Sequence, residues 1–411
     1  MTDTAVKFRV LQVQNRHAPG WGGEETVVAL EKRMLEDRGH VVEDFQVSNA
    51  RLKNAHPFRQ MLAAPGFLWS CRSYHLLRRK IRDFAPDVVH VHNTFPELSP
   101  SVFWAARRAG VPVVQTLHNF RHVCANALLL RRGARCEKCV GRVGWPALRH
   151  SCYAGSLSRT AVVVATSILH RSIGTYSGRV DAFIALNESN REIFRSGGLP
   201  PDKLLVKPNF VPASPSGFGP RKRQALFAGA MMPSKGVRLL LEAWSSAGLE
   251  DCELLLIGDG PERNPLAQKF SHLSNIAWLG RLERAQILER MAESRIFVFP
   301  SLAYENCPMV VLEALSVATP VVSANHASLA AIVQHQREGL LFQTGDAPSL
   351  ASALREAFRA GDPVWSRWSS AARQTHAQRF SETANYQQLI SIYLTVMRPR
   401  LAVAAQPALP A

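Results

Sequence analysis

The sequence predicts an α/β protein made of two doubly wound parallel sheets in separate domains, and three observations carry that prediction. The chain has 411 residues, of which 46% are hydrophobic, which is long for one domain and apolar enough for two cores. Short apolar runs of strand length alternate with amphipathic stretches of helix length, as happens when crossover helices bury a strand on both faces. A Pro-, Gly- and Ser-rich segment without periodicity, VPASPSGFGP at 211–220, divides this pattern near its middle. The expected boundaries are a first domain over 1–212, a second over 213–397 and a disordered tail over 398–411.

In the first half, FRVLQVQ (8–14) reads as a strand and 25–38 as a helix with Val27, Val28, Leu30 and Leu35 on its apolar side. Gly22 and Gly23 stand where strand turns into helix, so backbone can approach a ligand there. Residues 55–81 are apolar and aromatic with a basic end. Pro65 and Gly66 interrupt the period, giving a pair of packed helices, with a membrane-interface helix as the alternative. PDVVHVHN (86–93) and PVVQTLHN (112–119) read as buried strands with polar carboxyl ends, the second presenting His118. Strands at 182–186 and 204–207, with a helix between, complete this half.

Four of the seven cysteines fall close together: Cys124, Cys136, Cys139 and Cys152. Their spacing, C-x11-C-x2-C-x12-C, contains one zinc-type knuckle and could close a structural tetrahedral site. The second C-x2-C of such sites is missing, so ordinary thiols remain the alternative.

The second half alternates more regularly: strands at 225–229, 253–257 and 275–279, and helices at 236–244, 261–270 and 284–292. Then comes FVFPSLAYENCPMVVLEALSVATPVVSAN (297–325): a buried strand from 296 to 299, a loop, a helix from about Met309 and a second strand at 320–324. Helices at 328–334 and over 349–397 follow. In a parallel sheet the ligand lies beyond the carboxyl ends of the strands. Glu305 belongs to the loop there, and Glu313, eight positions on, to the second helical turn. Lys235, in FAGAMMPSKGV, precedes another helix at the same edge.

Net charge is +17. Residues 51–180 carry 20 Lys or Arg against 4 Asp or Glu, whereas 211–411 carry 19 against 16. A basic half suits an anionic membrane surface, an acidic substrate or plain solvation. No nucleic-acid module and no interleaving of aromatic and basic residues is present, so nucleic acid is not an expected partner. The start, MTDTAVKF, has no leader pattern, and the longest apolar run, 161–165, is too short to cross a bilayer. The expected location is cytoplasmic, with peripheral attachment at the inner membrane face as an option.

The E-x7-E spacing after an apolar strand and a Pro-Ser resembles the donor site of family 4 glycosyltransferases. Gly22, Gly23 and Glu25, His118, Lys235, LIGDGPER (256–263) and LGRLERAQI (279–287) match the same family in order. The resemblance implies the GT-B architecture, two Rossmann-like domains facing across a cleft, with the last helix returning to the first domain. It gives Glu305 and His118 places beside the reacting sugar, Glu313 the ribose and Lys235 the diphosphate. The backbone N–H groups of Asn306, Cys307, Met309 and Val310 would meet sugar and diphosphate. Gly22 and Gly23 would lie near the diphosphate, and the backbone at Arg281 and Leu282 near the base. Ala230 stands where the family has an Arg; Asn306 and Pro308 stand where it has glycines.

The implied activity is retaining transfer from a UDP- or GDP-sugar to a glycan or lipid-linked acceptor in cell-surface polysaccharide or glycolipid synthesis. The first domain would bind the acceptor and the second the nucleotide sugar. No cofactor is implied, and no Asp-x-Asp for a divalent metal occurs. Other readings remain: a 2-epimerase or glycogen-synthase-like enzyme of the same architecture, or a non-catalytic binding protein that kept the fold.

Overall fold

Strand pairing in both large sheets is parallel throughout, as strands buried on both faces require. The structure is a computed structural model that describes residues 6–16, 23–48, 64–214 and 221–404. The chain divides into two compact units. Unit 1 takes the chain up to Leu128, then Glu137–Lys207 and everything from Tyr386 onward; unit 2 takes Leu129–Cys136 and Pro208–Asn385.

The sheet of unit 1 contains β1 (Arg9–Arg16), β2 (Val41–Ser48), β3 (Val88–Asn93), β4 (Val113–Thr116), β7 (Ala182–Ala185) and β8 (Leu204–Val206), in the order β2-β1-β3-β4-β7-β8. Strand order reverses direction between β1 and β3, which makes their carboxyl ends the natural ligand edge. β2 is absent from the sequence reading. It is an edge strand of mixed burial, so its face pattern is diluted. In β3 every residue is buried, and the two-residue period sets His90 and His92 on one face.

Helix Cys71–Phe84 is capped by the Ser70 side chain, which accepts from the Ser73 N–H; a short helix, Ala64–Leu68, precedes it. Pro65 and Gly66 lie in that short helix, so the interrupted period became a break between two helices.

Unit 2 repeats the plan. Its strands are β9 (Lys222–Ala228), β10 (Glu253–Ile257), β11 (Ile276–Gly280), β12 (Ser294–Phe299), β13 (Val321–Ala324) and β14 (Gly339–Phe342), in the order β11-β10-β9-β12-β13-β14. Here the reversal falls between β9 and β12. β9 leads into the Lys235 loop and β12 into the Glu305 loop, so topology alone brings both to one edge.

A two-stranded hairpin, β5 (Leu130–Arg131) and β6 (Ala134–Arg135), leaves the first half of the sequence and belongs to unit 2. Residues 208–211 also belong there. Asn385 donates to the Pro208 carbonyl, and Val211 exchanges bonds with Phe380 and His376. The unit boundary therefore falls at Lys207 and not at 212. Helix Glu382–Ala404 runs past 397, where the sequence predicted a disordered tail; residues 405–411 lie outside the described residues. Leu and Ala in 401–404 are good helix formers. Among the described residues no helix is long and apolar enough to cross a membrane.

Candidate active site

The unit 2 site begins with a glycine. Gly236 has φ +74°, and a Cβ there would come within 2.1 Å of the Pro300 carbonyl oxygen. Only glycine lets the 233–236 turn lie against the end of β12. Two bonds hold the contact: Leu302 N–H and Ser301 Oγ both donate to the Ser234 carbonyl, at 2.9 and 3.3 Å. Gly258, at φ +130°, plays the same part for the loop after β10, where a Cβ would strike the Gly229 carbonyl.

This close approach delivers Lys235 to Glu305. Lys235 Nζ donates to Glu305 Oε1 at 2.7 Å, and Ser301 Oγ donates to the same oxygen at 2.6 Å. Burial would raise the Glu305 carboxyl, but the Lys235 ammonium and the Ser301 hydroxyl outweigh it and hold Glu305 below its ordinary value. His326 follows β13 and is 4% exposed. Its Nδ1 meets Ser328 Oγ at 3.0 Å, while its Nε2 is buried without a hydrogen-bond partner. Burial, reinforced by Arg135, lowers it to about 4 against the pull of Glu305. The Arg135 guanidinium lies 4.8 Å from the centre of the Tyr304 ring, next to Glu305.

Helix Met309–Ser316 starts directly after this loop, with Pro308 at its N-cap. Proline has no N–H to contribute, whereas Met309 and Val310 open the first turn, whose amides point out of the helix. The Cys307 carbonyl accepts from Asn209 Nδ2 at 3.0 Å, fixing the loop from behind. Glu313, 6% exposed, pairs with Arg284, Nε to Oε1 2.6 Å. Burial raises its carboxyl even so, Arg284 opposing. Leu282 lies half-buried in the turn before helix Arg284–Glu293. Lys235 and Glu305 are thus brought together, Glu313 has its own arginine, and Ala230 leaves no cation at its position.

In unit 1, Gly23 opens helix Gly23–Glu36; Gly22 lies outside the described residues. Glu24 is pushed up to about 7 by burial, against hydrogen bonds to Gln14 and Asn93 and with Glu25 adding to the rise. It therefore marks the β1/β3 edge as a site of unusual protonation. His118 lines a cleft of this unit with Asn93, Phe95, Arg121 and Ser167. Its Nε2 lies 3.0 Å from His92 Nδ1, and burial lowers it to about 3.

Cys124, Cys139 and Cys152 belong to unit 1 and Cys136 to unit 2, and none of the seven cysteines forms a disulfide. Among the described residues the group of three potential ligands within reach of one another is Glu31, His90 and His92. Cys139 instead packs with Ala125, Ala147, Val163 and Val164, with Cys152 against it, as a small apolar side chain does.

Sequence reading missed His326, Arg284, Glu24 and Arg135. For His326 and Glu24 a signal existed: His326 stands two positions beyond the carboxyl end of β13, and Glu24 lies in the first turn of the helix that follows β1. Arg135 and Arg284 carried none, being ordinary basic residues among 49.

Residues 21–214 match the model described as Glycosyltransferase Family 4, and residues 222–359 that described as Glycosyl transferases group 1. The chain is 24% identical over 326 residues to the phosphatidyl-myo-inositol mannosyltransferase of Mycobacterium leprae, covering 78% of this chain and 76% of that protein. It is 29% identical over 225 residues to the O-antigen chain mannosyltransferase B of Escherichia coli, covering 50% and 58%. An Anabaena protein solved in complex with UDP and glucose superposes with a TM-score of 0.63 at 18% identity, covering 94% of this chain and 99% of that one. With both units matched by the family models, the chain belongs to the family 4 glycosyltransferases and has the GT-B architecture.

Proposed function

We propose that this enzyme transfers a glycosyl group, with retention and without a metal, from a UDP- or GDP-sugar bound at the β9/β12 edge of unit 2. The observation that carries the reading is the Lys235–Glu305–Ser301 cluster, an ammonium and an oriented carboxylate ahead of a helix N-terminus. A departing nucleoside diphosphate accumulates negative charge. Lys235 and the opening amides of helix Met309–Ser316 are the groups that would stabilise it. Glu305, held ionised, would orient the sugar hydroxyls and stabilise positive charge at the anomeric carbon. That carbon loses its phosphate oxygen and gains the acceptor oxygen on the same face. The electron pair of the broken bond leaves with the diphosphate, whose oxygen takes the acceptor proton.

Glu313 and Arg284 are proposed at the nucleoside, with the backbone at Leu282 beside it, and the backbone N–H groups of Asn306 and Cys307 at the sugar and diphosphate. Ala230 leaves the diphosphate with one lysine in place of two cations. Unit 1 is proposed as the acceptor-binding unit, with His118 and Gly23 at its ligand edge. A glycan or lipid-linked acceptor is supported by the names of the two mannosyltransferase relatives. The basic character of 51–180 suits an anionic membrane surface at the cytoplasmic face.

The test is a thermal-shift screen of UDP-, GDP- and ADP-sugars followed by nucleotide-release assays on the stabilising donor. Glu305→Ala is expected to abolish release while the variant stays folded. Equal release by the variant, or no stabilisation by any nucleotide sugar, would sink the proposal.

A further inference from the structure

Unit 1 contains a sealed charge network that the transfer chemistry above does not use. Glu31, on helix Gly23–Glu36, is 1% exposed. Its Oε2 accepts from Lys207 Nζ at 3.2 Å, and Lys207 is equally buried. Its Oε1 lies 2.9 Å from His90 Nδ1 and 3.6 Å from His92 Nε2. The far nitrogen of His90 meets Thr116 Oγ1 at 2.8 Å, and Tyr393 Oη lies 2.8 Å from its Nδ1. Burying a carboxylate is costly, so a structure that retains one must satisfy it or use it.

The geometry reaches His118 through His92. Across the 3.0 Å contact between His92 Nδ1 and His118 Nε2, one nitrogen must donate and the other accept. His92 is held well below its ordinary value by burial and by its neighbour His90, Glu31 opposing, and His118 is lowered to about 3 chiefly by burial. Both rings are therefore neutral near pH 7, and each carries one proton.

If His92 carried it on Nδ1, its bare Nε2 would face the Glu31 carboxylate at 3.6 Å, lone pair against anion. With the proton on Nε2, His92 sets its N–H on the side of that anion, 3.6 Å away and beyond hydrogen-bond distance, an electrostatic preference only, and offers Nδ1 as acceptor. His118 must then be protonated on Nε2, which leaves Nδ1 unprotonated.

We propose that Glu31 is a positioning residue which, acting through His92, fixes His118 as its Nε2–H tautomer, so that the ring meets a ligand hydroxyl in the unit 1 cleft as a hydrogen-bond acceptor. A divalent metal on Glu31, His90 and His92 is the competing use of these side chains. Lys207 argues against it, because its ammonium at 3.2 Å already balances Glu31. The ligand class, a sugar hydroxyl, rests on the proposed function; the tautomer does not.

The test is long-range 1H–15N correlation NMR on the full chain labelled at histidine nitrogens, near pH 7.5 and without substrate. The signals are assigned with His118→Gln and His92→Gln. The expected result is a protonated-type Nε2 and an unprotonated-type Nδ1 for His118.

Replacing the pair together, Glu31→Leu with Lys207→Met, keeps the core apolar and leaves no unpaired charge. In that variant His118 is expected to show a mixture of tautomers, with kcat down about 10- to 100-fold and donor KM unchanged. A His118 protonated on Nδ1 in the parent protein overturns the proposal whether or not the double variant folds. So does an unchanged tautomer in a folded double variant, or one equivalent of divalent metal bound through His92. A protein that processes no nucleotide sugar would refute the proposed function while leaving the tautomer measurement standing.

Discussion

Each unit contains a glutamate held against a lysine, and the two pairs differ in where the solvent is. Glu31 and Lys207 are 1% and 2% exposed at their side chains, Glu305 and Lys235 13% and 31%. The first pair joins a helix interior to the residue after β8, with His90 and His92 beside the carboxylate. The second joins two loops at a sheet edge, where a ligand can enter and take over the contacts. A sealed ion pair returns little net stability compared with an apolar pair, yet it is very costly to break. A pair at an open edge keeps its strength only while a ligand or neighbour excludes water, and it is free to exchange partners.

The largest expected effect breaks the sealed pair. Lys207→Met leaves Glu31 buried and unpaired and is expected to cost about 3 to 5 kcal/mol in urea unfolding. Adding Glu31→Leu should recover most of that loss. A Lys207→Met protein as stable as the parent would show that the two pairs do not differ in kind.

Next is the open pair. Glu305→Gln is expected to lower turnover by at least about 100-fold while leaving the melting temperature within about 3 °C of the parent. A large loss of stability here would make Glu305 a scaffold residue like Glu31.

A pH titration sharpens the contrast between the units. His118 and His122 are lowered to about 3 by burial, and His40, His92 and His170 are lowered as well, all in unit 1. Unit 2 has His326, lowered to about 4, and His376. A histidine whose folded value is lowered favours the neutral ring. Its contribution is complete above the unfolded value of about 6.5 and is lost as pH falls from there, by up to about 1.4 kcal/mol per pH unit for a fully buried ring such as His118 or His122 and by less where solvent screens the ring. Glu24, raised to about 7, has the opposite sign, its contribution being lost as pH rises from about 4.3 through 7. Hydrogen exchange between pH 7 and 4.5 should therefore show protection in unit 1 falling before that in unit 2. Equal loss in both would contradict the contrast.

The smallest effect adds a cation to the open edge. Ala230→Arg is expected to lower donor KM about three- to tenfold through one charge-assisted hydrogen bond. An unchanged KM would mean that the diphosphate does not approach residue 230.

The open edge was legible in the sequence because its parts are local. The strand-loop-helix-strand run carries Glu305 and Glu313 in one stretch, and a Lys-Gly before a helix carries Lys235. The sealed network was not legible. Glu31 reads as one polar position on an otherwise regular helix, and the Val-His-Val-His of β3 as a strand with two unexplained polar residues. Nor was it legible that Cys136, next to the β5–β6 hairpin, groups with unit 2 while Cys124, Cys139 and Cys152 group with unit 1.

By itself the sequence determined two parallel, doubly wound sheets and the segments that form their edges, because periodicity states which face of each element is buried. Only the tertiary structure decided the partners. Glu31 and Lys207 stand 176 positions apart, Glu305 and Lys235 70, and Glu313 took Arg284, 29 positions away. Burial patterns record that a charge lies inside, whereas strand order and the close backbone contact at Gly236 settle which opposite charge lies beside it.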